Sequence, residues 1–278
     1  MFDPLFDQAA GLRAVSMPGG VRCVPLVLSR DLHTAFDALC MLGDGLTGLG
    51  HGVLALDATS REKPGQPGLA HHLQLLGRSA RISAHGAHGP MGLVRPEGPE
   101  PAWRTLPSQA GLESLLHVAS AQGPRVALCQ LASVFTRDTV VLVLAPKEWV
   151  SVLFEDSSAQ PLVPFVLQPA GIVDAYSAMK VLNQAGGLQP VLMPVVGASP
   201  SRAEQRSMSA LLDTAYKHLR FTPECWPLQG EGQSVETVSP WMLRIVDSAL
   251  MIDDEDSRVS PWQTSNQREA LVPQLWSC

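Results

Sequence analysis

Apolar residues along this chain gather in short continuous runs, separated by longer stretches of helical period. Residues 21–28, 52–57, 139–145, 161–167 and 189–196 are such runs, and 125–129 is a shorter sixth. A strand buried on both faces needs apolar residues throughout, whereas a strand open on one face alternates. Residues 31–49 have helical character, and the Gly50-His51-Gly52 return is short, so 21–57 reads as strand, helix, strand. Residues 172–184 form an amphipathic helix with Ile172, Tyr176, Met179, Val181 and Leu182 as its apolar positions, and 202–219 is a helix after the last strand. The alternation predicts an α/β fold, a doubly wound and mostly parallel sheet flanked by helices. Pro25 lies inside the first strand and cannot donate a ladder hydrogen bond there, so that strand is either bulged or starts late.

The two ends of the chain read differently. Asp3 can cap a helix whose first turn accepts Pro4, and Leu5, Ala9 and Leu12 follow at helical spacing. Residues 16–20 (SMPGG) end that helix in a hinge, and about three turns are too few for stability alone in water. Residues 59–108 are rich in Gly, Pro and His and read as excursions over the carboxyl edge of the sheet. Residues 229–233 form a linker, 241–252 a final amphipathic helix, and Asp253-Asp254-Glu255-Asp256 opens a polar tail. The expected organisation is therefore a helix and hinge at 1–17, an α/β domain at 18–228, and a linker, helix and tail at 229–278.

Charge and composition narrow the function. A net charge of −6 argues against nucleic acid as a partner, because phosphate neutralisation needs a basic face. No apolar run approaches the roughly 20 residues of a membrane span, and the acidic, proline-containing start is not a signal peptide. Five scattered cysteines without a C-x-x-C pair point to a reducing cytoplasm, with Cys40 and Cys129 on apolar segments as small buried residues. His71-His72 and His85-x-x-His88 lack an accompanying cysteine or acid cluster and read as solvated loop residues, so no metal is expected. No Ser-His-Asp or Cys-His spacing suggests a catalytic residue. The 241–252 helix has one Arg and one Asp before four acids, which anionic lipid repels, so core packing or a protein partner is favoured over a membrane.

Several motifs resemble one family. Asp7-Gln8-Ala9-x-x-Leu12-Arg13 ahead of the first strand is similar to the D-Q-A-x-x-L-R opening of FlhG, the MinD-like ATPase family that sets bacterial flagellar number and placement. Leu49-Gly50-x-x-Val53-Leu-x-Leu-Asp57-Ala58, Gly89-Pro90-x-Gly92-Leu93 and Asp174-Ala175-Tyr176-x-x-x-Lys180 resemble further family segments. The likeness runs over residues 3–228 and implies a MinD-type, P-loop-like fold with an N-terminal effector helix. It also implies that Asp7, Gln8, Ala9, Leu12 and Arg13 bind FlhF, a signal-recognition-type GTPase, and activate it, with Gln8 helping to organise the attacking water or the catalytic loop.

The departures fall where nucleotide chemistry should be. The family's K-G-G-x-G-K-T wraps phosphates with glycine N–H groups and lysine charge. The matching stretch here is Ser29-Arg30-Asp31-Leu32-His33-Thr34-Ala35-Phe36, without glycine or lysine. Asp57 keeps the first acid of the family's D-A-D but Thr59 replaces the second, and Leu144 or Ala145 stands where a magnesium-binding acid ends a later strand. Met193-Pro194 replaces an adenine-contacting Asn. Ser29, Arg30, Asp31, Thr34 and Asp57 therefore form a degenerate nucleotide site, in which Asp57 either ties down the degenerate loop as a relic or is a working acid. The expected protein is a pseudo-ATPase with no cofactor, monomeric or dimeric without nucleotide, recruited by a partner to the cell pole or flagellar base. The alternatives are an ATPase using ATP and magnesium at an atypical phosphate site, and an adaptor for flagellar switch-complex or transcription proteins.

Overall fold

The computed structural model describes residues 19–63, 67–75, 82, 103–197, 201–229 and 240–252. The expected effector helix at 1–17, the Gly89-Pro90-x-Gly92-Leu93 motif, His85, His88 and the acidic tail lie outside these residues.

The predicted opening unit is present. Strand β1 (Val21–Val27) leads through helix α1 (Leu32–Gly48) to strand β2 (Gly52–Asp57). Strands β4 (Thr139–Ala145), β5 (Leu162–Val166) and β6 (Val191–Val196) follow the other predicted runs, as do helices α6 (Pro169–Gly186) and α7 (Arg202–Leu219). Further elements are α2 (Leu69–Gln74), β3 (Arg104–Pro107), α3 (Gln109–Gln122), α4 (Pro124–Ser133), α5 (Lys147–Leu153), β7 (Leu228–Gln229), α8 (Pro240–Ser248) and β8 (Leu250–Ile252). The sheet order is β3-β2-β4-β1-β5-β6-β7, all parallel, with β8 added antiparallel to β1. Helices cover both faces. One apolar layer joins Leu54, Leu56, Val141 and Val143 to α2–α7, and the other joins Val24, Leu26, Leu142 and Leu144 to α1 and α8. Alternate residues of each strand feed alternate layers, which is why the strand sequences are apolar throughout.

Pro25 corrects one expectation. The strand is neither bulged nor late, because Arg22 through Val27 pair in unbroken register with Val140 through Ala145. The Leu28 N–H donates to the Ala145 carbonyl of β4, so even-numbered residues of β1 face β4 and Pro25 faces the other side. On that side β8 stops at Cys23, and β5 meets β1 only through Leu26↔Leu162. By the same alternation Val191 N–H, bonded to the Pro161 carbonyl, leaves Pro164 of β5 facing β1. The two prolines thus account for the brevity of the β1–β5 ladder.

Three segments differ from expectation. Within 59–108, read as excursions over the carboxyl edge, Leu69–Gln74 is helix α2 and Arg104–Pro107 is strand β3, parallel to β2. Residues 125–129 are helix α4, not strand: Gly123 at φ 99° breaks the chain after α3, Pro124 fits the first turn, and the buried Ala127, Leu128, Leu131 and Ala132 recur at helical spacing. The expected 241–252 helix ends at Ser248, and 250–252 form β8 against Val21–Cys23. Trp241, Met242 and Ile245 bury in the layer that contains α1, so residues 240–252 belong to the α/β core.

Candidate functional site

In open parallel sheets ligands gather beyond the carboxyl ends of the strands, where successive connections diverge. Here β1 connects to β2 on one side of the sheet centre, while β5 lies on the other side of β1. The loop at the end of β1, the start of α1, and the starts of α5 and α6 all meet there.

Four of the predicted residues come together at this point. Asp31 is the N-cap of α1: its carboxylate accepts from the His33 N–H at 3.2 Å and the Thr34 hydroxyl at 2.8 Å. Ser29 donates its hydroxyl to the Asp31 carbonyl at 2.5 Å. The Arg30 N–H donates to Asp174 Oδ2 of α6 at 2.9 Å, across 144 positions of sequence. Gly171 allows that reach, since a Cβ there would lie 2.3 Å from the Val166 carbonyl, and its absence lets α6 start tight against β5. Asp174 is itself held by Lys147 of α5, whose Nζ lies 3.8 Å from Oδ1 and donates to the Ser177 hydroxyl at 2.9 Å. Lys147, Asp174 and Ser177 were not among the predicted site residues. Only the D-A-Y likeness touched Asp174, and Lys147 carried no local signal.

The consequence is electrostatic. A helix N-terminus preceded by free backbone N–H groups is a ready anion seat. In this chain its own carboxylates fill that seat, Asp31 on the first turn of α1 and Asp174 on the preceding N–H. A triphosphate arriving there meets the Asp31 carboxylate and the Asp174–Lys147 pair, with the Arg30 and His33 N–H groups already in use.

Asp57 lies apart from this group. Strand β4 separates β2 from β1, placing their ends two strand spacings, about 10 Å, from each other. The Asp57 carboxylate is 1 % exposed and saturated by its own turn. It accepts from the Thr59 N–H at 2.8 Å, the Thr59 hydroxyl at 2.7 Å and the Ser60 hydroxyl. Its structural role is thus to fix the 57–60 turn rather than the 29–34 loop. Leu144 and Ala145 are fully buried, and their carbonyls accept from the Ala58 and Leu28 N–H groups. Met193 is likewise core.

Among the described residues no three His, Cys, Asp or Glu side chains gather as a metal site. The His71 and His72 rings meet edge to face, 5.6 Å between centroids. Burial lowers the His72 pKa, helped by His71 and Arg104 and opposed by Glu62. Burial pushes the Cys23 thiol up to about 12 and the Cys225 thiol to about 11, the latter with help from Glu224, so neither is a nucleophile near neutrality. No described helix is long and apolar enough to cross a membrane. The predicted partner-binding residues Asp7, Gln8, Ala9, Leu12 and Arg13 lie outside the described residues.

No protein-family model matches this chain, and no curated protein matches its sequence. Among solved structures it is similar to apo McdA from Cyanothece, with a TM-score of 0.49 at 13 % identity over 81 % of this chain and 91 % of that one. It is also similar to a Cyanothece McdA variant in complex with ATP, with a TM-score of 0.48 at 13 % identity over 84 % and 90 %. A third is cobyrinic acid a,c-diamide synthase from Mycobacterium smegmatis with bound ADP and magnesium, at 0.43 and 16 % over 69 % and 82 %. The fold class of this chain rests on its own parallel sheet and two helical layers.

Proposed function

We propose that this chain is a non-catalytic, MinD-like regulator whose core has given up nucleotide binding and whose N-terminal segment acts on a partner. The observation that carries the reading is the filled anion seat, where Asp31 caps α1 and Asp174 takes the Arg30 N–H. The partner side of the reading comes from the D-Q-A-x-x-L-R segment. By its resemblance to FlhG, the partner is an FlhF-type GTPase and the process is flagellar placement or number. Leu5 and Leu12 supply apolar anchors in a helix-in-groove mode, while Gln8 and Arg13 present polar groups to the GTPase site.

The test is GTP hydrolysis by an FlhF-type GTPase with and without this protein. Wild type is expected to stimulate turnover, and a Gln8→Ala/Arg13→Ala double variant is expected to lose that stimulation. A folded wild type that leaves the rate unchanged overturns the reading.

One observation favours a second reading, an ATPase with an atypical phosphate site. Lys147 brings to the junction the lysine that the 29–34 stretch itself lacks. It would serve a phosphate only after Asp174 had moved away from both Arg30 and Lys147. Stabilisation by magnesium and ATP distinguishes this reading from the first.

A further inference from the structure

A concave feature lies at the opposite, amino edge of the sheet. It is a cavity of about 400 Å³ lined by Gly123, Arg125 and Leu128 at the start of α4, by Glu155 and Ser158 ahead of β5, and by β8. Most of its lining is apolar, and Val126 and Met251 nearby are large apolar residues left partly exposed. The chain enters the fold beside it. Gly20 accepts from the Asp138 N–H, and the next residue, Val21, pairs with Ile252 of β8, which lines the cavity.

We infer that in the free protein this groove holds the apolar face of residues 3–16, keeping the effector segment docked on its own core until a partner takes it. The inference rests on the reading of that segment as an effector helix. Leu5, Phe6, Ala9 and Leu12 recur at helical spacing and need an apolar surface, since about three turns are too few for stability alone. Residues 13–20 reach at most about 28 Å when extended, whereas β4, β1 and β8 together span only about 10 Å across the sheet. So short a tether sets an effective concentration of order millimolar, enough for a modest apolar contact to hold. Charge agrees with the placement: Glu155 and Asp156 outnumber Arg125 in the lining of the groove, and Arg13 follows the stripe. Because Ala9 and Leu12 are also the residues assigned to the partner, docking at home and binding the partner exclude each other.

The experiment follows the alkylation rate of a Ser158→Cys reporter, an exposed groove position, in the full chain without any GTPase. Peptide mapping separates it from the native thiols, and an unlabelled Cys23 shows that the core stays folded. A Leu5→Asp/Leu12→Asp substitution in the same chain is expected to speed labelling about tenfold, the factor for a docked state occupied roughly nine-tenths of the time. Removal of residues 1–18 is expected to do the same. Equal rates in all three chains overturn the inference. So does acceleration only on removal of residues 253–278, which gives the groove to that tail, or protection that grows with protein concentration, which gives it to a second copy. With no GTPase present, this result stands or falls separately from GTPase activation.

Discussion

Asp57 spends its carboxylate on its own turn. Its carboxylate is buried and consumed by Thr59 and Ser60. Asp57→Ala empties a buried position and takes the acceptor from the Thr59 N–H and the Thr59 and Ser60 hydroxyls, so urea unfolding should show a loss of about 1–2 kcal/mol with an unchanged slope. A neutral result would mean that the carboxylate is held for something other than the turn. His51, in the return between α1 and β2, tests the electrostatics. Its pKa is lowered by burial first and then by the Arg22 charge. A base with a lowered folded pKa stays neutral in the fold while the unfolded chain takes up the proton. Stability is therefore intact above the ordinary value of 6.5 and declines as pH falls from there toward the lowered value. His51→Gln should flatten the part of the fall in Tm that this residue causes between about pH 7 and pH 5. An unchanged slope would place the proton sensitivity elsewhere.

At the scale of elements, α1 carries two contrasts. Asp31 supplies its cap, so Asp31→Ala should cost about 1 kcal/mol of stability in denaturant titration. If Asp31 were instead a strained, repelling charge in a ligand-ready loop, the same change would be neutral or stabilising. Gly43 faces Trp103, whose ring lies 2.3 Å from where a Cβ would stand, whereas nothing lies within 4 Å of that position at Gly48. Gly48→Ala should therefore stabilise by about 0.5 kcal/mol through helix propensity, and Gly43→Ala should destabilise by roughly 1–3 kcal/mol through overpacking. Equal effects at the two sites would contradict the tight approach of Trp103, just ahead of β3, to α1.

Elements also show what sequence could reveal. The strands β1, β2, β4, β5 and β6 were legible because burial on both faces demands unbroken apolar runs, and α6 and α7 because their period is long. Residues 125–129 misled because a four-residue apolar run has no period of its own, and the deciding features, Gly123 and Pro124, stand just ahead of it. Strand β8 was hidden because Leu250-Met251-Ile252 continues the apolar pattern of α8, and its partner Val21–Cys23 is remote in sequence. β3 and α3 follow the Gly- and Pro-rich stretch, where no pattern marks their start.

Across the whole molecule, the lack of glycine and lysine in the 29–34 stretch is legible in the sequence, but what the fold places around that stretch is not. That Asp174 would reach Arg30, with Lys147 behind it, depends on β5 and α6 packing beside β1. No spacing rule connects those residues. The sheet therefore has two ends of different character: a carboxyl edge where Asp31 and Asp174 accept from backbone N–H groups, and an amino edge where an apolar groove adjoins Val21.

The most direct test of the inert core is a thermal unfolding series of the full chain in increasing magnesium and ATP. The account predicts a Tm that does not move as nucleotide rises to millimolar levels. A saturable rise, approaching the roughly 2.7 kcal/mol that a ligand gives at one hundred times its Kd, would contradict it and restore a nucleotide to this site.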